Sequence, residues 1–283
     1  MMQLLDVYKY AVNRLAEGNI EDSSFDGKVI FETVFGLSYS QVLINPEKKY
    51  DPELIKKLDK MLEERLSGRP LQYIIGEWEF MGYTFKVGEG VLIPRPETEL
   101  LVEHIIEKIG NKKDPVVFDL CSGSGCIGLS LKKIKPDARV FMVEKSDDAL
   151  KYLNINRDNL GLARETCLIQ GDITRGYSSF SSLPKPDVIL SNPPYIKSSD
   201  IPHLQQEVQK EPKMALDGGN DGFDFYRCLA EKWLPHINAG GYMAVECGEE
   251  QAEEISRMFA PYCVKTEIIN DFSDIQRIVV GSL

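Results

Sequence analysis

Residues 116–131 read VVFDLCSGSGCIGLSL. An apolar, β-forming run enters a glycine-rich turn, and apolar residues then resume at helical spacing, so the segment predicts strand, turn and helix. Gly123, Gly125 and Gly128 fit G-x-G-x-x-G, and Glu144 follows about 20 residues on, at the end of the next strand-like run. Glycines in such a turn let the backbone approach a ligand, and the carboxylate suits ribose hydroxyls. The same spacing also serves a plain packing turn or a dinucleotide. Two features favour another ligand. Asp119 immediately precedes the turn, where it would repel a pyrophosphate and suit a cationic amino group. In QGDI (170–173), Asp172 is placed to accept from an adenine amino group with Ile173 beside the ring. Asp172 equally suits a cap for the turn that follows. An amino-acid cation, a ribose and an adenine together point to S-adenosyl-L-methionine.

Outward from this stretch, strand-like runs fall at 116–120, 139–143, 166–170, 187–191, 241–247, 263–269 and 275–281, with helical stretches between most of them. The alternation predicts an α/β fold with a doubly wound, mostly parallel seven-stranded sheet. The last two runs are joined by only NDFSD, which suits an antiparallel hairpin. Residues 1–75 read as a small helical domain. Leu4, Leu5, Tyr8, Val12 and Leu15 form one stripe; Leu54, Ile55, Leu58, Met61, Leu62 and Leu66 form another, opened by Asp51-Pro52-Glu53 and closed by Ser67-Gly68. Residues 76–93, with Trp78, Phe80, Tyr83, Phe85 and Val87 around Met81-Gly82, read as a hairpin connecting this domain to a third region, 94–283.

The net charge of −11 disfavours general clamping of nucleic acid, so no stable nucleic-acid binding is expected. No apolar run approaches a membrane span, the N-terminus carries charges throughout, and a cytoplasmic protein is expected. The six cysteines form no CxxC pair, and most fall in apolar runs, which suits reduced, buried thiols. His104, His203 and His236 are scattered, so neither a metal site nor a histidine-based nucleophile is expected.

A second stretch, VILSNPPYIKSS (188–199), places Asn192-Pro193-Pro194-Tyr195 just past the fourth strand. Ligands of doubly wound sheets bind at the carboxyl ends of strands, where the strand order reverses. If the first and fourth strands are neighbours, this motif faces the glycine turn. Asn192 and Pro193 both precede proline and are held extended, leaving their carbonyls available. A planar NH2 group has two donors, which the Asn192 side-chain oxygen and the Pro193 carbonyl can accept, with Tyr195 packing on its flat face. That pins a delocalised nitrogen for methyl transfer.

The combination resembles the protein-(glutamine-N5) methyltransferases that modify peptide-chain release factors, the HemK/PrmC type. SGRPLQYIIGEWEFMG, VLIPRPETELLVE, DLCSGSGCIGLSL, LSNPPYI, EPKMALDGGNDGFDFYR and DFSDIQRIVVG occur in the family's order over nearly the whole chain. The resemblance implies a class I, Rossmann-like methyltransferase with a helical domain that docks class 1 release factors. It implies that S-adenosylmethionine lies over Cys121, Ser122, Gly123, Ser124 and Gly125. Glu144 would hold its ribose, Asp172 and Ile173 its adenine, and Asn192 would reach the reacting centre. The glutamine of a Gly-Gly-Gln loop would enter between Asn192, Pro193, Pro194 and Tyr195. Cys121 stands where glycine is usual, Glu144 where aspartate is commoner and Ile173 where tryptophan is frequent. Arg95 has two readings, a pocket wall or a surface pair with Glu97 or Glu99. The polar segment His203–Gly222 reads as a cover for the substrate channel or a surface excursion. An alternative chemistry is methylation of an exocyclic amine on DNA or RNA bases, which offers the same planar donors; a non-catalytic adenosyl-binding module is a third reading.

Overall fold

In the computed structural model, which describes residues 3–283, Leu4, Val7, Ala11 and Leu15 form the buried stripe of a helix, α1 (Leu4–Glu17). Leu5, Tyr8 and Val12, expected in the stripe, are only half-buried at its margin. The seam is centred on Val7 and Ala11 because α1 packs against both α2 (Ser23–Phe35) and α4 (Glu53–Leu66). The approach of α2 depends on Gly27: a Cβ there would stand 2.9 Å from Val12 Cα. Between them, α3 (Tyr39–Ile44) starts in a capping box formed by Ser38 and Gln41. Asp51 Oδ1 accepts from the Glu53 amide at 3.0 Å, the start expected for α4, and α5 (Leu71–Ile75) completes the helical unit. Residues 206–210 belong to this unit as well. Glu207 reaches Arg65, whose Nε donates to Asp26 Oδ2 at 2.6 Å; Arg65 and Asp26 are both buried.

The second unit comprises residues 78–205 and 211–283. Its hairpin, β1 (Glu77–Phe80) and β2 (Tyr83–Lys86), turns at Met81 and Gly82, both at positive φ, as a two-residue primed turn requires. Phe80 and Phe85 insert into the core of this unit. The main sheet contains β3 (Val116–Leu120), β4 (Arg139–Glu144), β5 (Thr166–Gln170), β6 (Val188–Ser191), β7 (Tyr242–Glu246), β8 (Lys265–Asn270) and β9 (Gln276–Ser282). Their order is β5-β4-β3-β6-β7-β9-β8, parallel through β7 and antiparallel for β9 against both neighbours. The closing hairpin is therefore present, with β9 inserted between β7 and β8.

β3 and β6 are buried along their whole length, as central parallel strands covered on both faces should be. Side chains alternate between two cores: Phe118 and Leu120 join one, Val117 the other. One face is covered by α6 (Pro96–Ile109), α7 (Cys126–Ile134) and α8 (Asp147–Asn159), the other by α10 (Asp224–Lys232) and α11 (Ala252–Phe259); a one-turn helix, α9 (Lys213–Leu216), lies in the segment after β6. β3 and β6 are neighbours, and the order reverses between them. The crevice at their carboxyl ends is therefore the ligand position for this topology.

All six cysteines are free. Cys167 departs from the expected burial: it is exposed, because β5 is an edge strand. No helix among the described residues is long and apolar enough to cross a membrane.

Candidate active site

At the tip of β3 the chain turns through Cys121, Gly123 and Gly125, at φ of +60°, +55° and +81°. Cys121 therefore carries a side chain in the left-handed region that glycine prefers. The Ser122 amide donates to Val143 O at 3.2 Å, and its hydroxyl to Asp119 O at 2.8 Å, which ties the turn to β4. Gly128 packs α7 onto the sheet; a Cβ there would meet Asp119 Oδ2 and Met142 Cγ, each at 2.9 Å. Asn156, fully buried on α8, donates to Ser124 O at 2.9 Å and Lys86 O at 3.0 Å, joining the glycine turn to the hairpin.

Glu144 ends β4 facing this turn. Its Oε2 accepts from the Gly123 amide at 2.8 Å, and its Oε1 from the Lys145 and Ser146 amides at 2.8 and 2.7 Å. A carboxylate has about four acceptor sites, so capacity remains on Oε2. Asp172, past β5, both lines the cavity and caps the next turn: Oδ1 accepts from the Thr174 amide and hydroxyl, and Oδ2 pairs with Lys145 Nζ at 2.8 Å. Burial acts to raise its carboxyl, but Lys145 and Thr174 outweigh it and hold the group at about 2.

These strand tips open on one cavity, partly open to solvent. Of the residues singled out in the sequence, Arg95, Cys121, Ser122, Gly123, Ser124, Glu144, Asp172, Ile173, Asn192 and Pro194 line it; Asp119, Gly125, Pro193 and Tyr195 do not. Asp119 is fully buried behind the turn. Its Oδ2 accepts from the Gly128 amide at 2.9 Å, and its Oδ1 is a buried oxygen without a partner. Burial, reinforced by the Glu144 carboxylate, pushes Asp119 up to about 7. Tyr195 packs toward the core instead of onto the cavity wall: its ring lies against Gly248, and its carbonyl accepts from Gln251 Nε2 at 3.0 Å. A Cβ on Gly218 would stand 2.7 Å from Tyr195 Cα, so this glycine admits the turn.

Arg95 lines the cavity and pairs with Glu211, not with Glu97 or Glu99. Glu99 instead accepts from the Met81 amide at 2.5 Å. Buried Glu211 also accepts from the Ile93 amide at 3.0 Å, so it holds the Gly90–Arg95 wall. Pro212, Met214 and Ala215 also line the cavity, so part of the His203–Gly222 segment contributes to its wall. The reading of the sequence did not find Lys145, Thr98, Phe225 or Glu211. The acidic partner of Arg95 lies 116 residues away, and no local pattern announces it.

The residues present fit S-adenosylmethionine. An open acceptor on Glu144 suits ribose, and the unpartnered Asp119 oxygen lies behind the glycine turn. Val143, Ile173, Ala149 and Phe225 give an apolar slot for a purine.

Residues 6–76 match the family model of the PrmC N-terminal domain, and residues 96–220 that of the methyltransferase small domain. A release factor glutamine methyltransferase of Aquifex aeolicus is 31% identical over 99% of this chain and 99% of its own length. That of Clostridium acetobutylicum is 34% identical over 99% and 98%. Among solved structures, the hMettl16 catalytic domain in complex with MAT2A 3'UTR hairpin 6 aligns with a TM-score of 0.56 at 12% identity, over 82% of each chain. The Thermus thermophilus 16S rRNA methyltransferase RsmC, in complex with AdoMet and guanosine, aligns with a TM-score of 0.52 at 16% identity, over 73% of this chain and 49% of its own. At those identities the two structures share the fold, a class I Rossmann-like methyltransferase sheet. Matched end to end by sequence at this level, the chain belongs to the release factor glutamine methyltransferase family.

Proposed function

We propose that this protein is an S-adenosylmethionine-dependent methyltransferase that methylates N5 of the glutamine side chain in the Gly-Gly-Gln motif of class 1 peptide-chain release factors. The observation that carries the reading is Asn192, at the tip of β6, on the wall of the same cavity as the glycine turn of the neighbouring β3. Bound S-adenosylmethionine supplies an electrophilic methyl group on a sulfonium. Cys121, Ser122, Gly123 and Ser124 form its bed, Gly125 and Asp119 support that bed from behind, Glu144 takes the ribose, and Asp172 and Ile173 border the adenine. Asn192 Oδ1, on the cavity wall, accepts an N–H group of the substrate amide, orients the nitrogen and stabilises the positive charge that develops on it. Pro194 holds Pro193 extended, and Tyr195 anchors the turn from the core side. Arg95, fixed by Glu211, borders the substrate entrance. The helical domain, read as residues 1–75, docks the release factor, and the hairpin segment joins it to the methyltransferase domain. Translation termination places the enzyme in the cytoplasm.

The test uses labelled S-adenosylmethionine with an unmodified release factor. Label should appear on the release factor with the native enzyme and vanish with Asn192→Ala, while both bind the cofactor equally. Label on DNA or RNA instead of protein contradicts the assignment.

A further inference from the structure

Thr98 lies in the first turn of α6, 2% exposed, between Asn192 and Glu246. Its hydroxyl donates to Glu246 Oε2. A threonine hydroxyl has one proton, so toward Asn192 it presents only lone pairs. Only the NH2 end of the Asn192 amide can then face it, and Asn192 Nδ2 donates to Thr98 Oγ1 at 3.3 Å. The oxygen end is turned to the other side, where no donor from the described residues reaches it.

Glu246 is placed for this by the sheet. Register pairs Ser191 of β6 with Val245 of β7, so the next residues, Asn192 and Glu246, are level. The Tyr226 hydroxyl donates to Glu246 O at 2.8 Å and fixes the strand end. Glu246 is 2% exposed, and Arg277 and Arg95 act on its charge without forming an ion pair with it. Burying an acidic group is costly even so, and a purely structural contact would be served by an uncharged residue.

We propose that Thr98 and Glu246 are positioning residues that set which end of the Asn192 amide faces the substrate. The inference rests on the reading of Asn192 as the acceptor for the substrate NH2. The substrate nitrogen carries donors, so an Asn192 turned the other way would set donor against donor and lose the contact. Released from Thr98, the amide presents either end.

Thr98→Val keeps the shape and removes the hydroxyl; Thr98→Ser keeps the hydroxyl. Thr98→Val should lower kcat about tenfold, the scale of one lost orienting hydrogen bond, with cofactor affinity unchanged. Thr98→Ser should recover most of the native kcat. In an Asn192→Ala background Thr98→Val should add nothing, because no amide is left to orient. Independently of turnover, the Asn192 side-chain NH2 resonances should move in Thr98→Val and return in Thr98→Ser; Thr98→Ala serves for both readouts if valine does not fold. Native kcat and unmoved resonances in Thr98→Val, with activity lost in Asn192→Ala, overturn the relay alone. Full activity in Asn192→Ala overturns the reading of Asn192 and the relay with it.

Discussion

In the proposed reaction, Asn192 supplies one preorganised acceptor at the position where charge develops. Its replacement by alanine should lower kcat by roughly 10²–10³, the usual cost of removing one such contact, and leave cofactor affinity in place. A loss below tenfold by steady-state kinetics contradicts that role. Cys121 makes a second prediction at the same scale. Its φ of +60° penalises any side chain, so Cys121→Gly should be more stable than Cys121→Ala by about 1 kcal/mol in denaturant unfolding. The opposite order, normal in a helix or strand, would show that the turn is relaxed. The residues legible in the sequence here are those at strand ends, such as Glu144, Asp172 and Asn192, because a strand followed by a turn fixes their position. Thr98, Lys145 and Glu211 were not legible. Thr98 and Glu211 are placed by partners far along the chain, since Glu246 lies 148 residues from Thr98 and Arg95 116 from Glu211, while Lys145 meets Asp172 only past the next strand.

Among the elements, α2 and α4 are joined by the buried pair Asp26–Arg65, with side-chain exposures of 5% and 6%. Removing one partner strands the other charge, so Arg65→Leu should destabilise the helical unit by about 3–5 kcal/mol. The double variant Asp26→Leu/Arg65→Leu should lose less than the single one. A double variant as unstable as the sum of the singles, measured in urea, contradicts the pairing. The α4 stripe was legible from Leu58, Met61 and Leu62, yet a buried Arg65 beside them was not, since periodicity scores arginine as a solvent residue. The strands of the sheet were legible because β3, β4 and β6 each carry an apolar run, Val116–Phe118, Val140–Val143 and Val188–Leu190. The α1 stripe was read one notch round, because only the packing of α2 and α4 decides which of several apolar residues faces the seam.

Over the whole molecule, two buried carboxylates set a pH dependence. Burial drives Glu246 up to about 7 against the Thr98 hydroxyl and Arg277, with Glu97 adding to the rise and Arg95 opposing it. Burial, against the Gly128 amide and with Glu144 reinforcing, does the same for Asp119. Their ordinary values are 4.5 and 3.8, so between about 4.5 and 7 the folded state holds protons that the unfolded chain has released. Their contribution is therefore fully present below the unfolded values and lost as pH rises through about 7. Unfolding free energy should fall over that window, and Asp119→Asn should flatten part of the slope; an unchanged slope contradicts this assignment. At this scale the sequence showed seven strands and the terminal hairpin. It did not show β9 entering between β7 and β8, nor residues 206–210 joining the helical unit, because strand order and excursions of this kind depend on contacts between distant segments. What the fold and cavity are for is decided at one nitrogen atom. Mass spectrometry of the Gly-Gly-Gln peptide of an unmodified release factor, before and after incubation with the protein and S-adenosylmethionine, should show the mass of one added methyl group, with fragmentation placing it on the glutamine side chain. A peptide that stays unmodified, or carries its methyl group on another residue, contradicts the account.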